Sequence, residues 1–150
     1  MEGIIEPQQI KEKEILETSR TVAIVGLSTN KEKASNVVAN YLIAHGYRII
    51  PVNPGYNELL GQKSYKSLSD IPDKIDIVDI FMRSEKVLPF VEEAIKLKPW
   101  AIWLQLGIIN EEAKKLVEDK GITFFMNVCI KQEHEKLFGN KSKWPLTKHQ

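Results

Sequence analysis

The sequence predicts an α/β fold: three layers, α/β/α, around a five-stranded, mainly parallel sheet. Three observations lead there. Strand-like and helix-like patterns alternate five times, the signature of parallel strands joined by right-handed crossovers. Thr21–Val25 is an unbroken, mostly apolar and β-branched run, as expected of a strand covered on both faces. Finally, 150 residues with 43% apolar content fit one domain with a real core, and no Ser/Gly-rich linker or internal repeat divides them. The domain is read as an N-terminal helix at about 7–18, a core at about 20–138 and a tail at 139–150.

The elements follow in order. Pro7 to about Thr18 is rich in Gln, Lys, Glu, Ile and Leu, and Pro7 is tolerated in a first turn, so it reads as a helix. Ile10, Ile15 and Leu16 give it a narrow apolar stripe. After the first strand, Thr21–Val25, Ser35 is expected to cap a helix running through His45, with Val38, Tyr41 and Leu42 on one face and Gly46 just past its end. Tyr47–Val52 is the second strand, with Pro51 near its end because proline donates no ladder hydrogen bond.

Asn53-Pro-Gly-Tyr56 is a turn by composition. Glu58–Ser69 reads as an irregular connection anchored by Leu59-Leu60-Gly61 and Tyr65, and Ser69–Pro72 as one helical turn. Ile75–Phe81 is the third strand. Ser84 opens a helix to about Leu97, with Val87, Val91, Ala94 and Ile95 inward and Pro89 in its first turns. Trp100–Leu104 is the fourth strand. Asn110 caps a helix carrying Ala113, Leu116 and Val117 inward and ending at Gly121. Ile122–Met126 is the fifth strand, and Cys129–Phe138 a last short helix before a polar tail containing Trp144-Pro145.

Composition narrows the function classes. The net charge of +1 gives no general electrostatic case for nucleic acid or an anionic membrane. No apolar stretch approaches the roughly 20 residues that cross a bilayer. Met1-Glu-Gly-Ile-Ile-Glu-Pro7 lacks a basic region followed by an apolar run, so no signal peptide is read. Cys129 is the sole cysteine, which excludes an internal disulfide and fits a reducing compartment. The expectation is a cytoplasmic protein.

In an open parallel sheet, ligands bind beyond the carboxyl ends of the strands. The candidate residues are therefore Gly26-Leu27-Ser28-Thr29, Asn53-Pro54, Phe81-Met82-Arg83, Gln105-Leu106-Gly107 and Asn127-Val128-Cys129. A strand, a glycine turn and a helix start at Ser35 together favour an anion, because backbone N–H groups and the positive end of the helix dipole converge there. Lys31, Lys33 and Arg83 either add charge to that site or are solvated. The loop is not G-x-G-x-x-G, since positions 28 and 31 are Ser and Lys, and no Gly-Lys-Ser/Thr follows. Asn53 stands where an NAD site places an acid. Phe81 and Leu106, at the rim, are suited to cover an apolar part of a ligand.

No catalytic set emerges. Ser28 has no neighbouring acid or histidine and sits in no G-x-S-x-G elbow. His45 reads as a partner of a helix C-terminus and His134, between Glu133 and Glu135, as a surface residue. The histidines and Cys129 form no metal motif. Asp76 and Asp79 share no acid–base geometry. Cys129 is either a small buried apolar residue or a thiol at the rim near a helix N-terminus.

Seven segments in this order resemble the small stand-alone CoA-binding domain proteins, whose fold is like the CoA-binding domain of the succinyl-CoA synthetase alpha subunit. They are Thr21-Val-Ala-Ile-Val-Gly-Leu-Ser28, Tyr47-Arg-Ile-Ile-Pro-Val-Asn-Pro54, Leu60-Gly61, Ser67-Leu-Ser-Asp-Ile-Pro72, Asp76-Ile-Val-Asp-Ile-Phe-Met-Arg83, Trp103-Leu-Gln-Leu-Gly107 and Met126-Asn-Val-Cys-Ile-Lys131. The resemblance, from about Ile15 to Leu137, implies a Rossmann-like sheet that binds coenzyme A or an acyl-CoA at its carboxyl edge. It implies that the Gly26–Ser28 loop, Lys33, Ser35 and Asn36 hold phosphates. It further implies that Asn53-Pro54 borders the nucleotide, that Phe81 and Arg83 pack on it and pair with it, and that the Gln105–Gly107 loop lines the pantetheine path. Three departures stand out. Leu27 replaces a small alanine and is expected to crowd a phosphate, Thr29–Ala34 lacks the customary Pro and Gly residues, and Asn127 stands where Asp is common. The phosphorylated histidine and nucleotide-grasp machinery of the synthetase lie outside this domain, so the resemblance implies binding without ligase activity. The alternatives are an NAD(P)-linked or CoA-thioester-processing enzyme, and a CoA-responsive regulatory or scaffold protein with an unknown protein partner.

Overall fold

A computed structural model describes residues 6–139. In chain order the elements are α1 (Pro7–Thr18), β1 (Thr21–Val25), α2 (Ala34–Ala44), β2 (Arg48–Val52), β3 (Glu58–Leu59), β4 (Gln62–Lys63) and β5 (Ile77–Ile80). They continue with α3 (Val87–Lys96), β6 (Ala101–Leu104), α4 (Glu111–Asp119), β7 (Thr123–Phe125) and α5 (Ile130–Phe138). The main sheet runs β2-β1-β5-β6-β7, all parallel. The Rossmann-like α/β/α fold is therefore the one expected.

Every residue of β1, β5 and β6 is buried, because both faces of the sheet are covered. On one face Val22, Ile24, Ile77, Trp103 and Phe125 pack against Leu16 of α1, Val38 and Leu42 of α2 and Ile130 of α5. On the other, Ala23, Val25, Val78, Ile80, Ile102 and Leu104 meet Val87, Val91 and Ala94 of α3 and Ala113 and Val117 of α4. The chain leaves β1 for β2 on one side and then crosses to β5 on the other. That reversal puts the topological switch point between β1 and β5, where an open sheet parts its loops and a ligand enters.

Several boundaries differ from expectation. The third strand is Ile77–Ile80, because the Asp76 carboxylate accepts the N–H groups of Arg20 and Thr21 (2.8 and 3.0 Å) and locks the strand's entrance. The connection after β2 is not irregular. Leu60 and Gly61, at φ +52° and +73°, turn a two-residue loop that pairs β3 with β4 antiparallel. Pro51, by contrast, lies where expected, next to last in β2, which is the edge of the five-stranded sheet. Ile10 faces outward, 58% exposed, while Glu12, Ile15 and Leu16 form the buried side of α1. His134 is fully buried, not a surface residue: α5 turns it under α2, where Nδ1 lies 2.7 Å from the Tyr41 hydroxyl. Trp144 and Pro145 lie outside the described residues.

Two buried acids stand apart from the sheet edge. Glu12 faces Glu133 of α5 and accepts a hydrogen bond from Gln8 (2.9 Å); burial, and then the Glu133 carboxyl, push its pKa up to about 7. Asp79, aligned between Ile24 and Trp103, is fully enclosed, and burial holds its carboxyl well above the usual range. Among the described residues, no helix is long and apolar enough to cross a membrane.

Candidate functional site

The site grows from Gly26, the first residue beyond β1. Its φ is +83°, and a Cβ built on it would lie 2.4 Å from the Phe81 carbonyl oxygen. Only glycine lets the loops after β1 and β5 approach this closely at the switch point. Its N–H donates to Val52 O (3.0 Å), tying it also to the end of β2.

From there the polar side chains turn inward and shape the loop. Ser28 N–H donates to Ser35 Oγ (2.9 Å), and Asn36 Nδ2 donates to Ser28 O (2.8 Å). Ser28 Oγ accepts from Asn30 N–H (3.0 Å), and Asn30 Oδ1 from Glu32 N–H (2.9 Å). Asn53 completes the set: Nδ2 donates to Leu27 O and Oδ1 accepts from Gly55 N–H, both at 2.9 Å. These short side-chain-to-backbone bonds replace the missing glycines and proline as the means of holding the loop.

Three expectations are corrected here. Ser35 does not cap α2; Lys33 occupies the N-cap, and Ser35, inside the first turn and 4% exposed, accepts Ser28 N–H on its hydroxyl oxygen. Asn36 is 2% exposed, with both ends of its amide engaged by Ser28 and Asn40, so its side chain serves the loop rather than a ligand. Leu27 does not crowd the loop's outer side. It is fully buried in the core beneath α2, because φ > 0 at Gly26 redirects the chain and turns the following side chain inward.

What faces outward is backbone, one cation and an apolar wall. A cavity of about 340 Å³ is lined by Gly26, Ser28, Lys33, Ala34, Ser35 and Phe81. It opens onto the start of α2, where Asn36 N–H donates to Lys33 O (3.1 Å) and the Ala34 and Ser35 N–H groups precede the first bond of the helix. Through Ala34 and Phe81 it adjoins a cavity of about 490 Å³ lined by Met82, Arg83, Gln105, Leu106, Ile108, Cys129 and Gln132. Through Gly26 it adjoins one of about 300 Å³ at the end of β2, which includes Asn53, Pro54, Lys66 and Phe90. Through these shared residues the three are neighbours along the carboxyl edge, which is the candidate groove.

The larger cavity is set by two cross-ties. Gln105, 3% exposed, accepts Ile130 N–H on Oε1 (3.2 Å) and so docks the start of α5 against β6. Asn127, at φ +60°, accepts Gly107 N–H on Oδ1 (2.7 Å) and joins the loops after β6 and β7. Leu106 is left 59% exposed at the mouth. Cys129 is the half-buried N-cap of α5; it lines this cavity and also packs against the core cluster, so both of its readings stand. Arg83 lies here, with Leu106 and Cys129, and does not line the cavity at β2. Thr29 is exposed, its hydroxyl 3.5 Å from that of Tyr56.

Ala34, Ile108, Gln132, Lys66 and Phe90 were missed by the sequence reading. Ile108 and Lys66 each adjoin a segment already singled out, but Lys66 follows the hairpin and is brought to the rim by the pairing of Tyr65 with Val52. Among the described residues, no group of three His, Cys, Asp or Glu is placed to hold a metal ion.

Residues 20–135 match the family model described as CoA binding domain. The chain is 41% identical over 128 residues to the uncharacterized protein YneT of Bacillus subtilis, covering 85% of this chain and 95% of that one. A hypothetical protein from Pyrococcus horikoshii superposes with a TM-score of 0.85 at 39% identity, covering 93% of this chain and 100% of the other. The alpha subunit of an ADP-forming acetate–CoA ligase of Pyrococcus furiosus is 34% identical over 113 residues; the match covers 69% of this chain but 24% of that subunit.

Proposed function

We propose that this chain, which belongs to the CoA binding domain family, binds coenzyme A or an acyl-CoA along the carboxyl edge of its sheet and has no ligase activity of its own. The observation that carries the reading is the joining of an anion cradle to an apolar cavity through Phe81. Coenzyme A has the matching form, a diphosphate with a nucleoside on one side and a long uncharged pantetheine arm on the other. In this reading Gly26, Ser28, Lys33 and the first turn of α2 hold the diphosphate. Asn53 and Pro54 border the nucleoside, with the Asn53 amide acting through the loop it braces. The arm runs past Phe81, Met82, Gln105 and Leu106, and its thiol end lies toward Cys129.

The match to the ADP-forming ligase spans 24% of that subunit, and the proposal for this chain is confined to binding. An NAD(H) site is disfavoured because the residue after β2 is Asn53, already bonded to Leu27 O and Gly55 N–H. Calorimetry with CoA, acetyl-CoA and NADH, alongside an assay for thioester loss, tests the reading. CoA and acetyl-CoA are expected to bind and NADH is not, with acetyl-CoA recovered intact. No CoA binding at millimolar concentration overturns it, and turnover of the thioester replaces it with an enzyme.

A further inference from the structure

The cavity at the end of β2 contains two polar side chains, Asn53 and Lys66. Both halves of the Asn53 amide are engaged within the fold. Lys66 is exposed and takes part in none of the ion pairs among the described residues. Glu93 of α3 does not line this cavity; its carboxylate accepts from Leu68 N–H and the Ser69 hydroxyl (3.2 and 2.7 Å). The ammonium of Lys66 is therefore the charge this cavity has left to offer a ligand.

Its backbone is held in place. After β4 the chain returns alongside β2: Tyr65 N–H donates to Pro51 O (3.0 Å), Asn53 N–H to Tyr65 O (2.9 Å) and Ser64 Oγ to Asn53 O (3.2 Å). Tyr65 thus pairs in parallel with Val52, one residue before Lys66. The β3–β4 hairpin and this bridge deliver a cation to the carboxyl edge that no spacing in the sequence announces.

Position gives that cation a meaning. In open parallel sheets the ribose of a bound nucleotide lies by the end of the second strand, where an acid reads free hydroxyls and a cation accommodates a ribose phosphate. Here the cavity adjoins the anion cradle through Gly26, so a diphosphate in the cradle places its ribose beside Lys66. We propose that Lys66 recognises a phosphate monoester on the ribose of the bound nucleotide. With coenzyme A as ligand, the reading on which this rests, that group is the 3′-phosphate; the 2′-phosphate of NADP has the same chemistry.

Calorimetry on the full chain and on Lys66→Met and Lys66→Arg, with CoA, dephospho-CoA, NADP and NAD, tests it. The native chain is expected to bind CoA ~10-fold more tightly than dephospho-CoA, the order of one charge-assisted hydrogen bond. Lys66→Met brings CoA down to the dephospho-CoA level and leaves dephospho-CoA unchanged, while Lys66→Arg keeps the gap. Equal binding of CoA and dephospho-CoA by the native chain, or a gap that survives Lys66→Met, overturns the role of Lys66 and leaves CoA binding standing. A Lys66-dependent preference for NADP over NAD, without CoA binding, keeps the ribose-phosphate role and overturns the CoA reading. No binding of any of the four overturns both.

Discussion

The two ends of the groove are tied in the same way but present different groups to a ligand. At the β1–α2 end, Ser28, Ser35, Asn36 and Asn53 carry polar side chains, and all of them are bonded to the protein's own backbone or to each other's neighbours. What reaches the ligand side is main chain and Lys33. At the β6–α5 end the cross-ties come from Gln105 and Asn127, and side chains are what is presented: Phe81, Leu106 and Cys129 line the space. Both ends are therefore tied by side-chain-to-backbone bonds, but one presents a backbone cradle and the other presents side chains. Polar residues in a binding motif need not touch the ligand, and substitutions at the two ends should fail differently.

The largest effect is expected at the joint between them. Gly26→Ala forces a Cβ against the Phe81 carbonyl at a positive φ, costing about 1–3 kcal/mol of stability. Thermal denaturation should show the loss, and calorimetry should show CoA binding abolished. Within the cradle, Asn36→Ala strips the partner from Ser28 O, so melting temperature and affinity fall together. Lys33→Ala should lower affinity ~10-fold with no change in melting temperature. Equal melting losses in both variants would break the division between shaping and presenting groups. At the apolar end, Leu106→Ser is expected to weaken CoA by about fivefold. It should leave adenosine 3′,5′-bisphosphate, which lacks the arm, unaffected.

The smallest effect on binding is expected from Glu12→Gln, between α1 and α5. The folded carboxyl is raised to about 7 from an ordinary 4.5. The folded chain therefore keeps a proton that the unfolded chain has lost between those values. Stability is fullest below about 4.5 and falls as pH rises to about 7. Glu12→Gln removes this contribution, so melting temperature should vary less across that window, and CoA affinity should stay as it was.

Much of the fold was legible because local signals and tertiary packing agree. Thr21–Val25 reads as a doubly covered strand and is one, and Asn110 caps its helix by accepting Ala113 N–H (2.9 Å). Where they diverge, the cause is tertiary. His134 sits between two glutamates, yet α5 packs that face against Tyr41 and buries it. Glu58–Ser69 has no strand-like run, but a positive-φ turn at Leu60-Gly61 folds it into a hairpin. For the site, the positions of the rim loops followed from where each strand of a parallel sheet ends. Side-chain direction did not: Leu27 and Asn36 were expected at the site and point inward, and Lys66 was not expected there and lines the cavity at β2.

The central claim is that both ends serve one ligand. Titrating isotope-labelled protein with CoA and following backbone amide resonances tests it most directly. Gly26, Ser28 and Ala34 at one end, and Leu106 and Cys129 at the other, should shift together along a single binding curve. Amides at the opposite edge, such as Arg20 and Asp76, should stay still. No shifts at millimolar CoA, or shifts that spare the carboxyl edge, would contradict the account.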